Sequence, residues 1–210
     1  MEQWQNKMES EKRNTQLLRT PPPGKIKIMN ALSELMREKD FNSITTADIA
    51  TTAGVTEGLI YKYFRDKKDL LYQVLNGHFQ TFQNYIVSKI ETRKSSIEKL
   101  SIIIKTTLKS YSINRVFARI LLLEVRNSPN YFESDAYDMV KIYSRTILDI
   151  INQGIKEGEI KDDIDPHALR QVMLGSIEHA CLGEVIFGKD LDTDKVSEHI
   201  CNIIFRGAKK

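Results

Sequence analysis

Little in this 210-residue chain announces a specialised class of protein. Its two cysteines, Cys181 and Cys201, form no C-x-x-C unit and no disulfide framework, so both read as reduced core residues. Long apolar runs are missing: Ile120–Leu123 falls far short of the roughly 20 residues a membrane-spanning helix needs, so no membrane partner is predicted. The amino end, MEQWQNKMES, lacks the apolar core of a signal peptide, which predicts a cytoplasmic protein. Charge of one sign is lacking too, since 31 Lys+Arg against 28 Asp+Glu leave only +3. That total neither requires nor excludes an anionic partner. There is no H-E-x-x-H, no G-x-x-x-x-G-K-[ST] and no G-x-S-x-G, so neither an enzyme nor a cofactor is predicted. His179-x-Cys181 and His199-x-Cys201 carry ligand types that zinc prefers. On a helix, residues two apart project about 200° from each other, and no metal site follows.

Five prolines and ten glycines leave long uninterrupted stretches in which apolar residues recur three and four apart. This is the helical period, and the predicted fold class is all-α with about nine helices. Residues 1–24 are polar, end in Pro21-Pro22-Pro23-Gly24 and read as a flexible arm. Its Lys7, Lys12, Arg13 and Arg19 are offset by three glutamates and suit either a minor-groove arm or a disordered tail. Residues 25–72 then form a first domain and 73–210 a second. Helices are expected at 25–39, with the stripe Ile28, Leu32, Leu35 and Met36, and at 46–53, 57–64, 67–92, 96–112, 114–127, 129–157, 166–187 and 193–207. Ser128-Pro129 and Asp165-Pro166 mark two starts. Asp66 and Asp69 suit a capping box, and Gly154 and Gly158 mark a fraying end.

The informative stretch runs from Ile44 to Phe64. Two short helices break at Gly54, a turn of the helix-turn-helix kind. Ala50 is small where the second helix crosses, Gly54 supplies positive φ, and Ile60 plugs the angle, with Ile49, Ala53 and Val55 filling the remaining inward positions. Thr45, with Asp48, can cap the first helix and Thr56 the second. Helix N-termini of this motif point at phosphates. Outward, toward a major groove, the second helix offers Thr56, Glu57, Gly58, Tyr61 and Lys62. Glu57 repels phosphate but can accept from cytosine N4. Lys62, Arg65, Lys67 and Lys68 then place four cations in seven residues, a cluster that would meet the DNA backbone and set register. The plainer alternative is a helical protein-interaction module with a solvated charge run.

These residues resemble the DNA-binding domain of the TetR family of bacterial transcriptional regulators. Ile44-Thr45-Thr46 precedes the motif, Gly-x-x-x-Gly-x-x-Tyr-x-Tyr-Phe stands as Gly54, Gly58, Tyr61, Tyr63 and Phe64, and Lys67-Lys68-Asp69-Leu70-Leu71 follows. The resemblance covers about residues 25–75 and implies phosphate contacts by Thr45, Tyr61 and Lys67, with Thr46 and Lys68 beside them. Thr56, Glu57 and Lys62 are its candidates for base contact.

The same resemblance implies a C-terminal effector-binding and dimerisation domain. Gly175, His179 and Gly183 at four-residue spacing, with Ile200 and Ile204 on the last helix, suit a helix-to-helix interface of a homodimer bound to a near-palindromic operator. Leu121-Leu-Leu-Glu-Val-Arg126 and Met173-Leu-Gly-Ser-Ile-Glu178 are similar to the fatty-acid-metabolism branch, implying an acyl-CoA or another hydrophobic effector. Phe82, Phe117, Leu121, Leu122, Arg126 and Ile177 are the candidate pocket residues. The function implied is a repressor released from its operator by a small molecule. Split along the chain, the neutral total conceals +2 over residues 1–75, zero over 76–85, +6 over 86–126 and −5 over 127–210.

Overall fold

A computed structural model describes residues 21–208. Among the described residues there are nine α-helices, and the chain divides between Leu71 and Tyr72 into two compact units.

The first unit holds α1 (Pro23–Glu38), a 3-10 turn (Phe41–Ser43), α2 (Thr46–Ala53), α3 (Glu57–Tyr63) and the start of α4 (Lys67–Ile90). The arm expected over 1–24 lies mostly outside the described residues. Its last two residues belong to α1: Pro22 is the N-cap and Pro23 opens the helix, where a missing N–H costs nothing. The α1 stripe is Ile28, Ala31, Leu32 and Met36, buried with Phe41, Ile44, Ile49, Ile60 and Phe64.

The second unit continues through the rest of α4 and then α5 (Ser96–Ile113), α6 (Arg115–Arg119), α7 (Asp135–Lys156), α8 (Pro166–Phe187) and α9 (Thr193–Ala208). Helix α5 is its axis and packs on α7, α8 and α9. Its residues Leu100, Ile103, Ile104 and Leu108 are fully enclosed, as the 3.6-residue period requires of a helix covered on several sides.

Three expectations need correcting. The helix expected over 114–127 is interrupted: after α6 come a π turn (Ile120–Glu124) and a 3-10 turn (Val125–Asn127). Ile120, Leu121 and Leu122 are all buried, and three consecutive side chains cannot share one face of a regular α-helix. Second, Ser128-Pro129 opens only a 3-10 turn (Pro129–Tyr131), and α7 starts at Asp135, where the Ser134 hydroxyl accepts from the Tyr137 N–H. The chain bends there because Tyr131 turns inward among the rings of Tyr72, Phe132 and Tyr137. Third, Gly154 is not a fraying end. It is buried where α7 meets the start of α5, and a Cβ there would lie 2.9 Å from Ser96 Cβ and 2.8 Å from Ile160 Cδ1.

The same corner holds Glu159. Its carboxylate accepts from the Ser95 hydroxyl at 2.6 Å and from the N–H groups of Ser96 and Ile97 at 3.1 and 3.2 Å, capping α5 from outside. These bonds, the serine hydroxyl first, hold the carboxyl below the ordinary glutamate range. A carboxyl depressed on folding stabilises the fold above its unfolded pKa, and that contribution fades as pH falls through the folded value. Glu159→Gln should therefore cost about 1 kcal/mol at pH 7, discounted for partial exposure. In urea titrations the gap between wild type and variant should close below about pH 4.

Candidate functional site

In the first unit the motif is built as its residues demand. The Asp48 N–H donates to the Thr45 hydroxyl oxygen at 3.0 Å, while Asp48 Oδ2 accepts from the Thr45 N–H at 2.9 Å and from its hydroxyl at 2.8 Å. This closes a capping box, and the Thr45 N–H foremost holds the Asp48 carboxyl below its ordinary range. Gly54 sits at φ 64°, a left-handed turn that a side chain disfavours. Ala50 is buried under the crossing, Ile49 and Ile60 are enclosed, and Ala53 and Val55 are half-buried.

The outward set is Thr56, Glu57, Gly58, Tyr61 and Lys62, all exposed, Tyr61 at 57 %. Apart from its chain neighbours and its own helix backbone, the nearest atom to where a Gly58 Cβ would be is Thr56 Oγ1 at 4.0 Å, so the surface is open to close approach. Thr56 is the N-cap residue of α3, but its side chain makes no cap bond, contrary to expectation. What ties the two helix starts together is the Thr46 hydroxyl donating to Glu57 Oε2 at 2.7 Å. The sequence left this bond unseen because its partners lie eleven residues apart. Lys68 is exposed, whereas Lys67 is not spread into solvent. Its ammonium donates to the carbonyls of Phe41 at 2.8 Å and Ile44 at 2.6 Å, reaches Asn42 O at 3.5 Å, and lies 4.5 Å from the centre of the Phe41 ring. Burial pulls it below the ordinary lysine range. Lys67 thus clamps the turn that delivers Thr45 to α2. The Asp66 carboxylate caps α4 through the Asp69 N–H at 2.7 Å, and the Asp69 carboxylate accepts from the Arg65 N–H at 2.9 Å.

The second unit encloses a cavity of about 340 Å³. Phe79, Phe82 and Gln83 of α4 line it, with Tyr111 of α5, Phe117, Leu121 and Arg126, Tyr137 and Tyr143 of α7, and Leu174, Ile177 and Glu178 of α8. Five of the six candidate pocket residues are present. Leu122 is absent because it points into the packed core. The π turn explains the selection: Phe117 and Leu121 are four apart, but Leu121 and Arg126 are five apart, the step of a π-helix. Without it Val125, which is 3 % exposed in the core, would take the place of Arg126.

The Arg126 guanidinium forms a bidentate pair with Glu178, Nη1 to Oε2 at 2.9 Å and Nη2 to Oε1 at 2.6 Å. The Glu178 hydrogen bond raises its pKa above the ordinary arginine value. Tyr143 shares a 2.7 Å hydrogen bond with Thr107. Burial raises the phenols of Tyr111 and Tyr143, and carries that of Tyr131 to about 12. The Tyr131 hydroxyl is buried without a hydrogen-bond partner. Sequence reasoning missed Tyr111, Tyr131, Tyr143 and Glu178, since aromatic residues at helical spacing look like ordinary core.

On the proposed pairing face, Gly175 and His179 are exposed, Gly183 and Ile200 are half-buried, and Ile204 faces the core at 8 %. Ile203 is the outward residue of α9 at 77 %, one position from the expected one, and Val172, Ile186 and Phe187 of α8 are exposed as well. The two H-x-C units diverge as geometry requires: Cys181 is buried, its thiol pushed up to about 12 by burial, while His179 is exposed. Among the described residues no group of three His, Cys, Asp or Glu side chains could hold a metal, and no helix is long and apolar enough to cross a membrane.

An exposed helix after a capped, glycine-turned partner is the reading head of a DNA-binding transcriptional regulator, and the cavity-bearing helical unit is where such a protein meets an effector. Residues 28–74 match the family model for bacterial regulatory proteins of the tetR family, and residues 72–207 match that for the YsiA-like protein C-terminal region. The chain belongs to the TetR family. It is 25 % identical over 185 residues, 88 % of this chain and 95 % of the other, to the fatty acid metabolism regulator protein of Bacillus subtilis. The crystal structure of FadR from Bacillus subtilis in complex with stearoyl-CoA superposes with a TM-score of 0.79 at 25 % identity, covering 87 % of this chain and 98 % of that one. FadR from Bacillus halodurans, a fatty acid degradation regulator, gives 0.80 at 22 % identity over 90 % and 98 %.

Proposed function

We propose that the protein is a cytoplasmic homodimeric repressor that holds a near-palindromic operator and lets it go when a long-chain acyl-CoA enters the C-terminal unit. The observation that carries the reading is the aromatic-walled cavity, which suits a slender apolar chain. The stearoyl-CoA complex of a relative supports the class of ligand. On the DNA side, Thr45, Thr46, Tyr61 and Lys68 meet phosphates, with Lys67 holding their platform in place, and Gly58 admits the close approach of the backbone. Thr56, Glu57 and Lys62 read base edges, Glu57 after giving up the Thr46 hydroxyl. Val172, Gly175, His179, Ile186 and Ile203 supply the two-fold contact with a second copy, flanked by Gly183 and Ile200. Helix α4 begins beside the motif and contributes Phe79, Phe82 and Gln83 to the cavity wall. Displacing it alters the spacing of the two recognition helices, and the coupling free energy acts equally on both ligands.

Fluorescence anisotropy on DNA upstream of the protein's own gene tests this. Tyr61→Ala should weaken binding about tenfold on every site bound, whereas Glu57→Ala should change which site is preferred. Micromolar palmitoyl-CoA should dissociate the complex. Binding indifferent to sequence would sink the regulator reading, and a complex untouched by palmitoyl-CoA would sink the effector.

A further inference from the structure

Two threonine hydroxyls stand at the start of α2, and both are already given to carboxylates. Thr45 donates to Asp48, three residues along, at 2.8 Å. Thr46 donates at 2.7 Å to Glu57, the first residue of α3 and eleven positions away. The two ties differ in what can undo them. Asp48 also accepts the Thr45 N–H and completes a capping box, so its carboxylate is committed to its own helix. Glu57 is exposed on the outward side of α3, and among the described residues its carboxylate has no bonded partner other than Thr46. A threonine hydroxyl has one proton to donate, so Thr46 serves either Glu57 or a DNA phosphate. An ionised carboxylate only accepts, and a Glu57 that gives up Thr46 beside DNA needs a new donor. In the major groove the base amino groups, cytosine N4 and adenine N6, are such donors.

We propose that the Thr46–Glu57 bond is a specificity latch. Where a base amino group stands opposite Glu57, the carboxylate turns to the base and frees the Thr46 hydroxyl for a phosphate. Where none does, Glu57 keeps the hydroxyl, and the protein forgoes both the base bond and the phosphate bond. One unsuitable base pair therefore removes two contacts, and Glu57 determines specificity as much by what it withholds as by what it reads. Thr46 is the positioning residue through which it acts. The inference rests on the DNA-binding reading and couples two of its contacts.

The test is a double-mutant cycle on the full-length protein, read by anisotropy on DNA upstream of its own gene and on a duplex of scrambled sequence. On the scrambled duplex Glu57→Ala should bind about tenfold more tightly than wild type, because the carboxylate's charge is gone and the hydroxyl is released. Thr46→Val alone should change that binding less than about twofold, since the hydroxyl never reached the backbone there. In the Thr46→Val background Glu57→Ala should gain only about threefold, the part due to charge alone. Thr46→Ser/Glu57→Ala, which restores a hydroxyl, should recover the full gain, and thermal melts check that every variant is folded. Thr46→Ala replaces Thr46→Val if the valine perturbs the helix start. An equal gain with and without the hydroxyl, or no gain in Glu57→Ala, would overturn the latch and leave the regulator reading standing. A wild-type protein that binds the two duplexes alike would overturn both.

Discussion

Ile60→Ala should abolish operator binding while the C-terminal unit stays folded. Ile60 is 1 % exposed and is the residue of α3 that fills the angle against α2 and α1. Removing its outer methyl and methylene groups leaves a cavity in a unit too small to collapse around it, a change that costs about 2–5 kcal/mol. A domain of about 50 residues has about 3–7 kcal/mol in total. The loss is therefore comparable with the whole stability of the DNA-binding unit. The C-terminal unit has its own core, centred on Leu100, Ile103, Ile104, Ile147 and Met173, to which Ile60 does not belong. Circular dichroism should show part of the helix signal melting early and the remainder at the wild-type temperature, with no anisotropy change on operator DNA. Ile60→Val, at about 0.5–1.5 kcal/mol, should keep binding at low temperature. Wild-type operator affinity in Ile60→Ala would mean that the angle is held by something other than its plug.

The two units differ in how far the sequence reveals them. Around Gly54 the constraints are local: a cap, a small residue, a left-handed glycine and a plug lie within twenty residues, so composition and spacing settle the geometry. What escaped was non-local. The Lys67 clamp on Phe41 and Ile44 spans more than twenty residues, and it gives an ammonium expected at the DNA backbone a place in the scaffold as well. In the second unit the apolar period located the helices but not their faces. Ile203 and Ile204 are equivalent as letters, yet one is exposed and the other buried, because the register of α9 against α5 is set by the whole core. The break after Arg119 was equally hidden, since no proline or glycine marks a π turn made by three successive leucine-like side chains competing for the interior.

That turn sets up the second large effect. Leu121→Trp should produce a repressor that stays on its operator in the presence of palmitoyl-CoA. Leu121 lines the cavity, so the larger ring extends into space that is otherwise unfilled and takes volume from the ligand rather than from neighbouring side chains. In a cavity of about 340 Å³, an indole occupies a share that an acyl chain cannot do without. Effector affinity should drop about a hundredfold, a free-energy change of about 2.7 kcal/mol. Because the effector shifts the equilibrium only by its differential affinity for the two states, a ligand that no longer enters cannot release DNA. The neighbouring substitution supplies the contrast. Leu122 is packed in the core, so Leu122→Trp forces its bulk against filled space, costing about 1–3 kcal/mol of stability without closing the cavity. Palmitoyl-CoA titrations of the two operator complexes, with thermal melts of each variant, separate the outcomes. If Leu122→Trp rather than Leu121→Trp loses the response, the π turn presents its residues in a different register and the effector lies elsewhere.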